Sequence, residues 1–599
     1  MANLISFVGA GVSVGDLDGN GLSDDLVYVD SRFDEVTVCP APGTGSRFEP
    51  FLLRQNALPY DEGSTAPMGS LLGDFNEDGL LDILVYFWGR SPILYLHQEN
   101  GNDGLCLASF APGELVEPFE VWHTSCATQA DLDADGHVDL VVGNYNPDNA
   151  RTLDATDVDG EREVMMGSWG RATNGGKTRL MLWSGDRPPE PLFSEAKDVL
   201  PSEVACGWTF ALGAADLDGD LKPEIYLVHD FGADRLLHNE SSPGSLQFRV
   251  LQGKRTWTTP RSLTVGLDSF NGMGVDFADV NGDGHLDFIV SNITSDYGLH
   301  QSNLLFIHSQ RNEMMRQGIA PFANCSEDYG LSRGGWTWDT KFADFDNDGV
   351  LELIQATGFM EGKVNRWPEL HEMALANEEL AKYPVIYPNL GVNDAASNRE
   401  HNPFFVRLNG RYYDVANFLG DSFSEPMMSR GFAIADVDGD GRLDFAVANN
   451  WKDSYFFRNT APDVGQFLGL HLRIPLVPRK ENATLDQAPN EPTAGRYTVH
   501  PGHPTRDVPS MAAVGAQVTV RFRRGESEES LIGQVDGGSG HSGQRSPEVH
   551  FGLGQLSKDQ SVTAAVRWRD RRGSQQECSI NGLTPGWHTI NLWDTDPER

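Results

Sequence analysis

Apolar residues in this chain gather in runs of four or five rather than at helical spacing. They read LVYV (26–29), ILVYF (83–87), LVVGN (140–144), IYLVH (225–229), FIVSN (288–292), LIQAT (353–357) and FAVAN (445–449). Such short runs, rich in β-branched and aromatic residues, predict strands. The residues ahead of them alternate small and apolar, as in GMGVDFADV (272–280) and RGFAIADVD (430–438), which predicts a second strand in each unit. One segment departs from this pattern. Glu369–Lys382 carries Leu370, Met373, Ala374, Ala376 and Leu380 at helical spacing and predicts an amphipathic helix.

Between the two strands of each unit lies an acidic loop with the pattern D-x-[DN]-x-[DN]-(G)-x-x-[DE]. The copies are Asp16, Asp18, Asn20, Asp24; Asp74, Asn76, Asp78, Asp82; Asp131, Asp133, Asp135, Asp139; and Asp216, Asp218, Asp220, Glu224. They continue with Asp279, Asn281, Asp283, Asp287; Asp344, Asp346, Asp348, Glu352; and Asp436, Asp438, Asp440, Asp444. Side chains at positions 1, 3, 5 and 9 can surround a hard cation with oxygen. Ca²⁺ takes six to eight such ligands at roughly 2.3–2.6 Å, whereas Mg²⁺ demands stricter octahedral geometry. Glycine at position 6 permits the tight turn, and the fourth copy has Leu221 there instead. Strands on both sides exclude an EF-hand, which needs helices. Repeats begin 57 to 92 residues apart, room for about four strands of ordinary length. Seven such units predict an all-β, seven-bladed β-propeller followed by a small C-terminal β domain, with up to seven structural Ca²⁺ ions.

Composition narrows the function. With 86 acidic against 46 basic residues the formal charge is −40, which disfavours nucleic acid and anionic membrane as partners. No run approaches the ~18–20 apolar residues of a membrane span. Met1–Gly11 lacks a basic leader and cleavage site, so the expectation is cytoplasmic as the sequence stands, or secreted if a leader has been removed. The six cysteines (Cys39, Cys106, Cys126, Cys206, Cys325, Cys578) form no CxxC pair, which excludes common zinc motifs and leaves both disulfides and free thiols open. No GxSxG, HExxH, P-loop or dinucleotide fingerprint occurs in a supporting context.

The loops resemble the FG-GAP/VCBS repeats of integrin α-type propellers, and GMGVDFADVNGDGHLDFIVSN and SRGFAIADVDGDGRLDFAVANN resemble the variety that precedes an ASPIC/UnbV domain. The tail is similar to that domain: FLGLHLRIPL (467–476), a polar stretch from 477 to 510, then GAQVTVRF (515–522), GGSGHSG (537–543), HFGLG (550–554) and VRW (566–568). Gly- and Ser-rich residues replace the family's usual tyrosine–leucine–serine stretch before FGLG. The resemblance implies a propeller over 1–463, with insertions at about 146–177 and 358–429, and an ASPIC/UnbV β domain over 464–599. UnbV proteins recur in enediyne antibiotic clusters, and relatives include secreted acidic cartilage-type proteins. The resemblance therefore implies natural-product biosynthesis without specifying a reaction.

Aligned on the first Asp of each loop, the repeats expose where one blade differs from another. Three residues before it stand Ser13, Leu71, Thr128, Gly213, Asp276, Lys341 and Ala433; five before it, Asp339 stands against small residues. Asp276, Asp339 and Lys341 are thus expected as neighbours toward the axis, where an Asp could act as acid or base with Lys341 as its electrostatic partner. Eight before, His123, Trp208, Asn271, Trp336 and Met428 predict an aromatic rim. The first insertion carries an acidic run (Asp154, Asp157, Asp159, Glu161, Glu163) that reads as a solvated loop or an eighth cation site. The second reads as a lid or partner surface, with His371 at its surface. Two functions follow: a calcium-stabilised binding or scaffold protein that holds a small molecule or protein partner, or a cofactor-independent enzyme of specialised metabolism in the propeller funnel.

Overall fold

Each acidic loop joins two antiparallel strands, and the strand before the loop lies innermost. In the computed structural model these inner strands are Gly11–Gly15, Ala66–Gly73, Thr124–Ala130, Thr209–Ala215, Gly274–Ala278, Thr337–Ala343 and Ser429–Ala435. The structure describes residues 8–55, 58–99, 104–153, 164–185, 191–267, 271–295, 301–388, 390–391, 393–397, 399–477, 496–557 and 560–593. Each inner strand packs against the next, and the last packs against the first. From each, a sheet meanders outward through further antiparallel strands. Among the described residues seven such sheets surround one axis, forming a β-propeller.

Crowding at the axis explains the small residues of the inner strands. A Cβ on Gly69 would lie 2.1 Å from the Tyr86 hydroxyl, and one on Gly274 would lie 2.3 Å from the Trp338 carbonyl oxygen. The second strand of each blade is sandwiched between neighbouring blades, so it is apolar on both faces; Asp82–Trp88 is buried throughout. Burying each of its Leu, Ile, Val or Phe side chains contributes about 1.5–3 kcal/mol.

After the last propeller strand, Tyr455–Phe457, the chain builds a two-layer sandwich. One sheet holds Gln466–Pro475, Tyr497–Pro501, Ser510–Ala512, Val549–Gly554 and Gly586–Leu592; the other holds Gln517–Arg524, Ser527–Gln534, Val562–Arg569 and Gln575–Leu583. Leu470, Val520, Trp568 and Ile590 share a core between the layers. The sandwich sits on the propeller face that carries the acidic loops. Arg506 donates to the Asp18 and Gly19 carbonyls, Arg567 to Gly219 O at 2.7 Å and Arg524 to Asp348 O at 3.0 Å, while Trp587 Nε1 reaches Asp436 Oδ2 at 2.8 Å.

The segment Gly537–Ser546 leaves the sandwich and enters the propeller axis. Residues 543–544 add a short parallel strand to blade one, Val12 opposite Gly543. Gln129 N donates to Gly537 O (3.0 Å), Leu212 and Gly540 exchange two backbone bonds (2.8 and 3.2 Å), and Ser546 N donates to Ile434 O (3.0 Å). Gln544 accepts from Leu72 N at 2.6 Å and donates to Leu72 O at 3.0 Å. With Asp276 and Asp339 contacting Arg545 and His541, every inner strand touches this plug.

One expectation is corrected here. The helix covers only Trp367–Ala374; the chain then turns, and Asn377 caps a separate short turn at Glu378–Leu380 by accepting from Glu379 N. All six cysteines are free, with Cys126 and Cys578 buried. The acidic run at Asp154, Asp157, Asp159, Glu161 and Glu163 lies outside the described residues.

Lys341 and Asp339 pair at 3.0 Å with both side chains fully buried. Lys341→Met should therefore cost about 3–5 kcal/mol by stranding a buried carboxylate, and the double variant Asp339→Asn/Lys341→Met should cost much less. Denaturant unfolding of the full chain measures both; a Lys341→Met midpoint equal to wild type would show that the pair anchors nothing.

Candidate functional site

The acidic loops hold their own shape through local hydrogen bonds. In the second loop, Asp74 Oδ1 accepts from Asp78 N (3.0 Å) and Oδ2 from Gly79 N (2.8 Å). The closing Asp82 accepts from Phe75 N (2.9 Å) and from His97 N (2.7 Å) on the third strand, tying loop to blade. Asp139, Glu224, Asp287 and Asp444 repeat that double attachment. In the fourth loop Leu221 takes the glycine's place at φ 61°, and its N–H still reaches Asp216 Oδ2 at 2.7 Å. The motif's geometry thus survives loss of the glycine, at roughly 1–2 kcal/mol of backbone strain.

The first loop differs from its sequence reading. Asp25, not Asp24, begins the following strand and accepts from Leu17 N at 2.8 Å, as the ninth residue does elsewhere. One additional residue in this loop shifts the register. Asp24 turns instead to Arg47, which also pairs with Asp25 at 2.6 Å and with Asp18.

Carboxylate oxygens converge within 4.8 Å in the trios Asp16, Asp18, Asp25; Asp131, Asp133, Asp139; Asp216, Asp218, Glu224; Asp344, Asp346, Asp348; and Asp436, Asp438, Asp444. The second and fifth loops put Asn76 and Asn281 at position 3, so amide oxygens replace carboxylates there. Burial, reinforced by neighbouring carboxylates, pushes Asp74, Asp131, Asp216 and Asp344 up to about 7 and Glu352 to about 9. Oxygen donors this crowded and this reluctant to ionise together fit a hard divalent cation, whose charge would relieve the repulsion.

At the axis, Asp276, Asp339 and Lys341 are neighbours, but their partners come from the plug. Arg545 Nη2 grips both Asp276 oxygens (2.8 and 2.7 Å). Asp339 accepts from Lys341 Nζ, from Phe432 N (3.0 Å) and from His541 N (3.3 Å); Lys341 donates to Ser539 O at 2.7 Å. Their hydrogen bonds thus tie the C-terminal segment to the inner strands and the inner strands to one another. Ser539, His541 and Arg545 were not singled out from the sequence. The signal was present: two inner-strand acids against one lysine leave a positive charge to be supplied, and GGSGHSGQR is where the tail departs from its family pattern.

At the other end of the axis, where the inner strands begin, lies a cavity of about 780 Å³. Aromatic rings line it in an unbroken series. Tyr387 neighbours Trp169 (5.6 Å between centroids), Trp169 neighbours Phe231 (5.7 Å), and Phe231 meets Trp208 edge-on (6.0 Å). Trp208 meets Tyr145 (5.0 Å), which stacks on Phe210 (4.2 Å), which meets Trp338 (5.7 Å). Trp338 adjoins Phe359 (6.2 Å), Phe359 stacks on Trp336 (4.0 Å), and Trp336 adjoins Trp367 (5.6 Å). The helix Trp367–Ala374 of the long insertion covers one side, with His371 exposed at the mouth. Of the expected rim, Trp208, Asn271 and Trp336 line this cavity. His123 does not: it is buried beside Trp88, its Nε2 2.8 Å from Ala150 O, and Met428 is buried in the fold. The wall also contains Asn146 Nδ2, Trp169 Nε1, Trp336 Nε1 and Gln301 Oε1, buried polar atoms with no hydrogen-bond partner among the described residues.

Residues 508–596 match the family model described as ASPIC and UnbV. Over 152 residues the chain is 29% identical to integrin alpha-X of Mus musculus, covering 23% of this chain and 13% of that protein. Over 354 residues it is 25% identical to cartilage acidic protein 1 of Xenopus tropicalis, covering 57% and 40%. The chain therefore spans less than half the length of either relative. Among solved structures, the exotype rhamnogalacturonan lyase YesX superposes with a TM-score of 0.31 at 12% identity, covering 94% of this chain and 81% of that one. The V. cholerae biofilm matrix protein Bap1 gives 0.25 at 11%, covering 79% and 70%. No helix among the described residues is long and apolar enough to cross a membrane. The chain is an all-β propeller that carries an ASPIC/UnbV domain at residues 508–596, and its weak similarity to integrin alpha-X and cartilage acidic protein 1 is consistent with an FG-GAP-plus-UnbV architecture.

Proposed function

We propose that this protein is a calcium-stabilised propeller that binds a bulky, largely apolar small molecule in the aromatic cavity at the end of its axis. The cavity carries the reading. Its volume of about 780 Å³ falls in the range of ligand sites, and it combines apolar walls with a few convergent polar groups. Orphaned polar atoms in its wall would gain partners from a ligand or from water. The occupied axis favours binding over the axial chemistry considered as the alternative. Resemblance to UnbV proteins supports a ligand from natural-product biosynthesis, of enediyne type.

Calcium is the cation that suits the loops best: mixed carboxylate, amide and carbonyl donors on a flexible nine-residue turn suit its irregular coordination. Its role here is structural. Positions 1, 3, 5 and 9 would hold it, with Asp25 closing the first site. The sandwich rests on the same loops, so their loading also sets the surface on which the C-terminal domain docks.

Excess EGTA should lower the melting temperature by roughly 10 °C or more, with calcium restoring it better than magnesium; a melting curve indifferent to EGTA would remove the structural role. Asp25→Asn should destabilise the calcium-loaded protein by about 1–3 kcal/mol and Asp24→Asn by clearly less, as read by denaturant unfolding in calcium. For the cavity, the neutral dye Nile red should bind the full chain with a fluorescence rise. Trp169→Ala should weaken it by about tenfold, about 1.4 kcal/mol. A dye that stays dim, or binds Trp169→Ala unchanged, would count against this site.

A further inference from the structure

We propose that the cavity recognises an organic cation: an amine or quaternary ammonium group on a bulky apolar frame. The inference rests on the cavity being a ligand site and adds the charge of what enters it.

Asp230 carries the argument. Its carboxyl lines the cavity while the residue is only 6% exposed. The Tyr145 hydroxyl donates to Oδ2 at 2.6 Å and Asn271 Nδ2 to Oδ1 at 2.8 Å; Asn271 is oriented in turn by Gln301 Nε2 at 2.7 Å. Both donors stabilise the ionised form, and each oxygen retains acceptor capacity. Yet no lysine, arginine or histidine pairs with Asp230 among the described residues. Of the other charged or basic side chains that line the cavity, Arg171 pairs with Glu378 at 3.5 Å, Arg261 is exposed and donates to Leu267 O at 3.0 Å, and His371 is exposed, so none of them pairs with Asp230. A buried carboxylate without a counter-ion is costly, and burial pushes this one up to about 6. A cationic ligand would supply the missing charge.

The aromatic wall selects the same sign. Ring faces carry negative charge and attract cations, by about 2 kcal/mol or more when water is excluded. Asp230 N donates to Trp208 O at 2.8 Å, which sets the two backbones side by side, and Tyr145, whose hydroxyl donates to the carboxylate, packs between Trp208 and Phe210. An anion would meet repulsion from both the carboxylate and the rings. A neutral ligand would leave Asp230 uncompensated.

The test uses the full chain in calcium with Nile red bound. Phenyltrimethylammonium and tert-butylbenzene have the same shape and differ by one charge. The ammonium ion should displace the dye at about tenfold lower concentration. In Asp230→Asn, where only the rings still attract the cation, the advantage of the ammonium ion should shrink by about threefold or more. Equal displacement from the wild-type protein overturns the inference without needing the variant, and so does a preference that is undiminished in Asp230→Asn. Benzoate, a comparable anion, should be the weakest competitor; if it matches the ammonium ion, charge recognition is refuted. Failure of Nile red to bind at all removes the ligand site itself, and this inference with it. A bound dye displaced equally by both isosteres removes only the cation preference.

Discussion

Inner strands that converge on an axis present backbone and side-chain groups to a space too narrow to be freely hydrated, and those groups must still find partners. Gly537–Ser546 supplies them. It adds backbone bonds to Val12, Gln129, Leu212 and Ile434, its Arg545 neutralises Asp276, and its Ser539 carbonyl accepts a hydrogen bond from Lys341. Propeller and sandwich are therefore one structure energetically. Removing the plug would leave Asp276 without its counter-ion and take hydrogen-bond partners from the Lys341–Asp339 pair.

This arrangement divides the molecule into two faces with different chemistry. One holds the acidic loops, clamped from above by Arg506, Arg524, Arg567 and Trp587 of the sandwich. Much of the chain's negative charge is spent there on geometry. The fifth loop is the exception, since a Cβ on Gly282 or Gly284 would meet nothing within 4 Å. The opposite face is aromatic. Repeats that are nearly interchangeable at the loop end diverge there, contributing Trp208, Asn271 and Trp336 at corresponding positions.

The long insertion completes that second face. Without Trp367, Leu370, Met373 and Tyr387, the aromatic surface would be an open dish; with them it becomes a cavity able to exclude water from a ligand. Asp230 then sits in surroundings of low polarity, where its charge acts more strongly than on an exposed surface. The plug and the insertion thus do opposite work at the two ends of one axis, the first filling space and the second enclosing it.

The strands, the loops and the positions of their oxygen donors were legible in the sequence because the interactions that shape them span only a few residues. Asp74 binds the amides of Asp78 and Gly79, four and five residues ahead. Even so, the choice of Asp25 over Asp24 depended on where the next strand begins, which is a matter of register against its neighbours. Alignment on the loops also brought Asp276, Asp339 and Lys341 together correctly, since inner strands share one frame. What fills the space between them could not be read the same way: Lys341 and Ser539 are 198 positions apart, and Leu72 and Gln544 are 472 apart. Contacts of that kind, like the joining of Tyr145, Asp230 and Asn271 at the cavity wall, exist only once the ring has closed and the tail has folded back into it. Local chemistry determined the repeat, and closure of the ring decided what the axis and the cavity contain.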